Sequence, residues 1–312
     1  MDMVFVAQTI DEWMPLIDAK IDCHDLGCAI KITVERESDI LLKVTSKSKL
    51  PANIETRIVE ALRYVLAKVI HVATIQHSSG AAIETTFISA IRTSETGLFP
   101  PIRTRKSIAS NDIQRLFRRY LTFVHSETSA EFVHPCSMHL RNACEASANS
   151  VEAETIGLCV AVEGIASLVP FENKTNGKVV SNIRKAVSEY LGNMGVDSTL
   201  TNRIQGLLGQ LENVRVKDRV QKLIDSGHLD PSCFEAWERL RHKGVHPKRS
   251  TLEEFDDRSF QERLDDIHRV YVCMYQITFA LIGYEGQFSN YASKRFRLET
   301  YPLKAPTRDV AS

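Results

Sequence analysis

The stretch TIGLCVAVEGIASLV, residues 155–169, is apolar on nearly every side of the helix that its composition predicts. A surface helix carries its apolar side chains on one stripe, so a helix that is apolar all round belongs in the middle of a bundle. Glu163 is the one charged residue in this stretch. A carboxylate there is costly unless a base on another helix pairs with it. The stretch therefore predicts both a bundle centre and an ion pair.

Helical patterns continue on both sides of this stretch, each with apolar residues at three-four spacing. They cover residues 110–124, 178–191, 199–211 and 216–225, and the longest runs from about Leu252 to Leu281. The longest pattern keeps its apolar stripe through three heptads and has a second stripe beside it, which suits a bundle helix better than a two-stranded coiled coil. We predict an all-α bundle over residues 108–312.

The first hundred residues have a different periodicity. Residues 26–46 alternate apolar and polar side chains around a charged break, which predicts a β-hairpin with one buried face. Residues 51–72 form an amphipathic helical stripe, and residues 81–91 predict another strand. The fold class is therefore α+β: a small β-rich domain over residues 1–107 precedes the bundle. Residues 92–107 have no period and contain a Pro-Pro pair, so we expect an interdomain linker there.

Composition narrows the kind of protein. Lys plus Arg and Asp plus Glu both number 39, so no basic field covers the whole protein and any nucleic-acid contact needs a local patch. The seven cysteines are odd in number and irregularly spaced, which favours reduced thiols in a cytoplasm. No basic leader opens the sequence, and no apolar run reaches the ~18 residues of a membrane span. We expect a soluble cytoplasmic protein that does not enter the membrane.

Motifs for cofactors and metals are weak. The sequence contains no phosphate-binding loop, no dinucleotide-binding glycine pattern and no nucleophile elbow. Two groups of possible metal ligands are Cys23, His24 and Cys28, and His134, Cys136, His139 and Cys144. Neither group has the paired spacing of a structural zinc site. We favour the alternative of buried thiols and surface imidazoles, and expect neither a metal nor a cofactor.

The stretch FEAWERLRHKGVHP, residues 234–247, gathers groups that suit RNA cleavage. Arg241 lies one turn after Trp237, on the side of the helix that the aromatic residues bury. His246 precedes a proline, which places it at or just past the helix C-terminus, and His242 lies one turn before it. Arginine and histidine at this spacing also occur elsewhere in the chain by chance, so only the context gives this pair weight.

These side chains suffice for chemistry without a metal. One imidazole takes the proton from a ribose 2′-hydroxyl, another group protonates the leaving 5′-oxygen, and a guanidinium stabilises the charge on the phosphate. The alternative is an ordinary helix end with solvated Arg and His side chains. We expect Arg241 to be the base that pairs with Glu163; the alternative is that Glu163 reaches the surface or pairs with a different base.

Three segments carry a resemblance to a known family. SVEAETIGLCVAVEGIASLV, AWERLRHKGVHP and ITFALIGYEGQFSNYA, within residues 108–300, resemble the ApeA-like (Apea-type) HEPN domain of bacteria. The first is similar to its core helix with an internal glutamate, and the second to its Arg–polar–x–x–x–His segment. The third resembles its closing helix and the Gly-Tyr-x-Gly turn. The first hundred residues look like a shortened form of the β-rich domain that often precedes it.

The resemblance implies a function as well as a fold. HEPN domains are helical bundles that usually form homodimers, with two Arg–His motifs in one cleft, and many are endoribonucleases of phage defence, toxin or stress systems. By position, Arg241 and His246 are the implied catalytic pair, and His242 stands where the family often has asparagine or aspartate. Some HEPN domains only bind RNA or nucleotides. The alternative function is therefore a non-catalytic helical dimer that binds RNA or a protein partner.

Overall fold

The computed structural model describes residues 2–8, 16, 20–23, 26, 28–36, 39–46, 53–70, 72–79, 82–87, 97–103, 110–127, 132–171, 177–210, 214–245 and 257–303. The strands are Asp2–Gln8 (β1), Lys20–Cys23 (β2), Cys28–Arg36 (β3), Asp39–Ser46 (β4), Val72–Ser79 (β5), Ala82–Phe87 (β6), Gly286–Asn290 (β7) and Arg297–Tyr301 (β8). The helices are Ile54–Leu66 (α1), Ser110–Ser126 (α2), Pro135–Ser147 (α3), Val151–Ser167 (α4), Gly177–Asn193 (α5), Ser198–Gly209 (α6), Val216–Asp225 (α7), Pro231–Val245 (α8) and Asp257–Ile282 (α9).

An antiparallel sheet occupies the N-terminal part, with strand order β2-β3-β4-β1-β5-β6. The predicted hairpin of residues 26–46 is confirmed as β3 and β4, which pair Ile30 with Val44. The predicted strand of residues 81–91 is confirmed over β6; residues 88–91 lie outside the described residues. With α1 following β4, this part of the chain is α+β, as expected.

Helix α1 packs on the bundle helices α2 and α3. Its predicted apolar stripe is buried, and the ring of Tyr64 stacks on Tyr120 of α2 with 4.1 Å between ring centroids. The predicted extension of this helix to residue 72 is wrong. The helix ends at Leu66, Ala67 adopts a left-handed conformation with φ 52°, and Val72 already begins β5. The β-branched residues after the helix favour a strand, which the apolar spacing alone did not show.

The described part of the predicted linker, residues 97–103, is packed rather than free. Leu98 and Ile102 are 5% and 4% exposed. The hydroxyls of Tyr275 and Tyr291, from the C-terminal part of the chain, donate hydrogen bonds to backbone carbonyls of this segment. Buried side chains and hydrogen-bonded carbonyls therefore hold residues 97–103 in place. The division into two domains stays a prediction.

Helix α4 lies against α3, α7, α8 and α9, so the stretch that predicted a bundle centre does hold that position. Val162 and Ile165 are fully buried. The expectation that the helix is enclosed on every side is wrong, since Ile156 and Val160 are 44% and 51% exposed. One face of α4 therefore remains on the surface of the described structure, and Glu163 follows on this same face at the next three-residue step.

Helix α3 was not predicted. His134 caps its start, where Nδ1 accepts a hydrogen bond from the backbone N–H of Cys136 at 3.1 Å. Helix α3 packs closely on α4 because small residues meet there: a Cβ added at Gly157 would lie 2.6 Å from Cβ of Ala146. The interface thus depends on the absence of a side chain at one position.

The remaining predicted helices are present. The patterns of residues 178–191, 199–211 and 216–225 are confirmed as α5, α6 and α7, and the longest pattern as α9, whose predicted first residues lie outside the described ones. Helix α6 contains no buried residue and packs mainly on α5. The hairpin of β7 and β8 was not predicted. Within the described ranges, every helix is too short or too polar to span a bilayer.

Candidate functional site at the Arg241–Glu163 pair

Aromatic residues fix α8 against α4. Phe234 and Trp237 are each 4% exposed, and their rings stack with centroids 5.1 Å apart. The indole Nε1–H of Trp237 donates a hydrogen bond of 3.0 Å to the carbonyl oxygen of Cys159 on α4. A buried indole with its donor satisfied holds one helix in register with the other. The side chain one turn further along α8 is that of Arg241.

Arg241 and Glu163 form a two-point ion pair between α8 and α4. The guanidinium Nε lies 3.1 Å from Oε2 of Glu163, and Nη2 donates to Oε1 at 3.2 Å. The guanidinium carbon lies 5.4 Å from the centre of the Trp237 ring. Two hydrogen bonds to the carboxylate and the aromatic ring beneath it fix the orientation of the planar guanidinium. The ammonium group of a lysine would not be oriented in this way. The structure thus brings together the two residues that the sequence paired.

The pair is on the surface, which corrects the expectation of a buried one. The side chains of Arg241 and Glu163 are 44% and 43% exposed. The apolar sequence around Glu163 predicted burial, but this carboxylate lies on the face of α4 that also exposes Ile156 and Val160. An exposed pair contributes about 0–1 kcal/mol to stability, since water screens it and two long side chains lose freedom.

Of the two histidines of the predicted site, the structure describes only His242. His242 is exposed and follows Arg241 on α8. Helix α8 ends at Val245, immediately before His246 in the sequence. His246 lies outside the described residues. The structure therefore places the Arg241–Glu163 pair between α8 and α4 and leaves His242 exposed on α8. The position of His246 stays a prediction.

Two further charged side chains of α8 have partners on other helices. Arg239 forms a fork on Asp266 of α9, with bonds of 3.0 Å and 2.8 Å, and Glu238 pairs with Lys217 of α7 at 3.0 Å. Arg239 therefore ties α8 to α9, whereas Arg241 ties it to α4. This difference makes Arg239 a matched control for Arg241, because both are exposed arginines on one helix.

A third imidazole lies close to α4 and was missed. The ring of His139 on α3 packs over Gly164: a Cβ added there would be only 2.2 Å from ring atoms. Burial lowers the pKa of His139. The glycine directly after Glu163, inside an otherwise apolar helix, was the signal for this close approach. His139 was considered only as a metal ligand, in a group that the structure does not assemble.

Neither candidate metal group forms a site among the described residues. Within that part of the chain, no three side chains of His, Cys, Asp or Glu come together in a way that could hold a metal ion. Cys23 and Cys28 face each other across β2 and β3, while Cys136 and Cys144 are buried in α3. His24 lies outside the described residues.

The arrangement is suited to binding an anion at the surface. The guanidinium of Arg241 has more N–H donors than the fork on Glu163 uses, and the exposed edge leaves these donors open to a ligand. A phosphate group is a natural partner, because its oxygens match the geometry of a guanidinium. His242, the next residue on α8, adds an exposed imidazole.

Comparison of the chain with protein-family models, with curated proteins and with solved structures finds no match to any of them. The described residues form a helical bundle next to a small antiparallel sheet, and an oriented arginine lies on the surface of the bundle.

Proposed function

We propose that this protein is a metal-independent endoribonuclease of the HEPN type, acting in phage defence or in a toxin or stress response. The observation that supports this proposal most is the fork between Arg241 and Glu163, which orients an exposed guanidinium. In the sequence, His242 follows Arg241 directly and His246 follows it by five residues. A guanidinium fixed in this way is preorganised to stabilise negative charge on a phosphate, because its orientation is set before substrate binds.

The residues divide the reaction as follows. An imidazole, that of His246, accepts the proton of a ribose 2′-hydroxyl while the 2′-oxygen attacks the adjacent phosphorus. The bond from phosphorus to the 5′-oxygen breaks, and a second imidazole, that of His242, supplies the proton that this oxygen needs. Arg241 stabilises the charge on the non-bridging oxygens, and Glu163 holds the guanidinium in place. The products are a 2′,3′-cyclic phosphate and a 5′-hydroxyl.

A homodimer fits the surface next to the pair. Ile156 and Val160 are large apolar side chains left exposed two turns and one turn before Glu163, respectively, on the same face of α4. Covering such side chains with a second copy removes apolar surface from water. It also brings two copies of the Arg241 site near each other. We therefore propose that the active form is a dimer through this face.

Light scattering of Val160→Lys tests this dimer interface. The variant is expected to be monomeric, and an unchanged dimer mass contradicts this interface.

The deciding experiment incubates the purified protein with total RNA in EDTA and maps the ends of the fragments. We expect cleavage to persist and to leave 2′,3′-cyclic phosphate or 3′-phosphate ends with 5′-hydroxyls. His246→Ala should lower the rate by roughly a hundredfold, the scale of general acid–base catalysis. Arg241→Ala should also lower it, whereas Arg239→Ala, on the same helix, should not.

Two outcomes count against the proposal. Cleavage that needs magnesium and leaves 3′-hydroxyl ends contradicts the mechanism. Binding of RNA without cleavage favours the alternative, a non-catalytic helical dimer that binds RNA or a protein partner.

A further inference from the structure

Two cysteines lie opposite each other at the outer edge of the N-terminal sheet. Cys23 ends β2, Cys28 begins β3, and the two residues are direct partners in the antiparallel register. Direct partners in antiparallel strands have Cα atoms about 4.5 or 5.5 Å apart and side chains on the same face. A disulfide needs a Cα separation of about 4.4–6.8 Å. The backbone therefore holds the two residues where a disulfide can form without rearrangement of the strands.

The side chains of these cysteines also contact each other. Both are free thiols, and a hydrogen bond between them raises the pKa of Cys23 and lowers that of Cys28. The S–H of Cys23 also lies 3.9 Å from the carbonyl oxygen of Ile21. The guanidinium of Arg118, on α2, lies close enough to Cys23 to favour a negative charge there. Cys28 is therefore the thiol that ionises first, and its thiolate is the nucleophile of the pair.

Strand β2 offers a route by which a small reagent reaches these two buried sulfur atoms. It has four residues and lies at the end of the strand order, so among the described strands it pairs with β3 alone. A short edge strand opens more easily than a central one, since fewer contacts hold it. The bundle also brings Cys233 and Cys273 near each other, but both are buried in its core. Cys23 and Cys28 should therefore meet a reagent first.

We propose that Cys23 and Cys28 form a dithiol that a hydroperoxide oxidises to a disulfide and that a cellular thiol reduces again. The disulfide joins the end of β2 covalently to β3 and thereby fixes the edge of the sheet. This modification site does not depend on the proposed nuclease function.

The oxidation proceeds in two steps. The thiolate of Cys28 attacks one oxygen of hydrogen peroxide, the O–O bond breaks, and Cys28 becomes a sulfenic acid. The hydroxide that leaves takes up the proton that Cys28 released on ionisation. The thiol of Cys23 then attacks the sulfenic sulfur and forms the S–S bond, and its proton leaves with the sulfenic hydroxyl as water. Two thiols thus pass two electrons to one peroxide and give one disulfide and two waters.

Mass spectrometry of the full chain tests the site. The reduced protein is treated with hydrogen peroxide and denatured, its remaining thiols are alkylated, and its peptides are mapped. We expect alkylation of five of the seven cysteines and a linked peptide that contains Cys23 and Cys28, with two hydrogen atoms lost. Dithiothreitol should restore alkylation of all seven. The pair should be oxidised at least about tenfold faster than the buried thiols Cys136 and Cys144.

Three variants separate the roles of the two thiols. Cys23→Ala should stop at a sulfenic acid on Cys28, which dimedone traps, because the second thiol is absent. Cys28→Ala should give neither a sulfenic acid nor a disulfide at this site. Cys159→Ala removes a buried thiol of α4 and is the control, so it should form the disulfide at the rate of the unaltered protein.

Hydrogen exchange measures the effect on the sheet. The backbone amides of β2 should exchange more slowly after oxidation and return to their first rate after reduction, because the disulfide hinders opening of the edge. Equal exchange in both forms contradicts this effect. Seven alkylated cysteines after peroxide treatment, or a linked peptide between other cysteines, overturns the proposal, and this mapping uses the unaltered protein. Dimedone on Cys23 in Cys28→Ala, with none on Cys28 in Cys23→Ala, overturns the order of the two steps.

Discussion

Two Arg–Glu pairs of this protein have the same chemistry and different surroundings. Arg57 and Glu60 approach to 3.0 Å and are 2% and 1% exposed, whereas Arg241 and Glu163 approach to 3.1 Å and are 44% and 43% exposed. The distance alone does not distinguish them. Burial distinguishes them. Removing one partner of a buried ion pair leaves an uncompensated charge and strongly destabilises the fold, whereas removing one partner of an exposed pair changes stability little.

The buried pair has a structural task. Oε1 of Glu60 accepts a hydrogen bond from the backbone N–H of His134 at 3.0 Å, and Nη2 of Arg57 donates to the carbonyl oxygen of Phe132 at 2.8 Å. The pair thus joins α1 to the start of α3. Burial raises the pKa of Glu60, against the opposing effect of Arg57 and the hydrogen bonds. The exposed pair joins two helices as well, but leaves its guanidinium open to a ligand.

The largest effect on stability is expected from Glu60→Ala. It leaves Arg57 buried without its carboxylate and the N–H of His134 without an acceptor, so the free energy of unfolding should fall by about 3–5 kcal/mol. Glu163→Ala is the matched control and should lose about 0–1 kcal/mol. Urea denaturation measures both. Similar losses in the two variants would show that burial does not separate the pairs.

The next effect is a loss of stability in acid, through His134. Burial and the charge of Arg57 lower the pKa of this imidazole to about 4, and the ring must be neutral for Nδ1 to cap α3. An unfolded histidine has a pKa near 6.5. The stability from the neutral ring is therefore complete above about pH 6.5 and is lost as the pH falls toward 4, by about 3 kcal/mol at most.

His134→Asn separates this effect from other acid-sensitive groups. Asparagine also caps helices but does not titrate in this range, so the variant should lose less stability between pH 7 and pH 4.5. Glu60 acts in the opposite direction, because its raised pKa favours the folded state on acidification, and Glu127, 3.7 Å from Nε2, favours the charged ring. Glu60 remains in the variant, so the difference between the two proteins reports on the ring of His134 together with its contact to Glu127. Equal pH profiles would contradict the assignment.

The smallest effect on stability, with a separate effect on activity, is expected at the exposed pair. A double-mutant cycle of Glu163→Gln and Arg241→Ala should give a coupling energy of about 1 kcal/mol or less. If Glu163 orients the guanidinium, Glu163→Gln should nevertheless lower kcat for RNA by roughly tenfold, with little change in KM. Glu163→Asp should restore part of the rate. A stability loss as large as that of Glu60→Ala, or an unchanged kcat, would contradict a positioning role.

Periodicity predicted a helix wherever large apolar side chains repeat at three-four spacing, and it missed elements whose buried side chains are small or few. The stripe of α2 was visible in the sequence because large side chains form it, such as Leu116 and Phe117. Helix α3 was missed because small residues, among them Cys136, Ala143 and Cys144, form much of its buried face. Short strands such as β7 and β8 give too few residues for a period to appear.

The sequence predicted that Glu163 and Arg241 pair, but it did not predict that the pair is exposed to solvent. Glu163 is a single charge in an apolar helix, and electrostatics requires a partner there, which pointed to Arg241. Whether the pair is buried depends on which elements cover that face of α4, and the sequence of one helix does not contain this information. The exposure of Ile156 and Val160 became visible only in three dimensions.

The packing of residues 97–103 has a consequence for synthesis of the chain. The hydroxyls that bind this segment belong to Tyr275 and Tyr291, 176 and 191 residues after their acceptors. A ribosome adds about 5–20 residues per second, so roughly 10 to 40 s pass between the appearance of the acceptors and of the donors. The carbonyl groups of Phe99 and Pro100 therefore gain these two partners only after α9 and β7 have been synthesised, so the segment is fastened last by residues far away in the sequence.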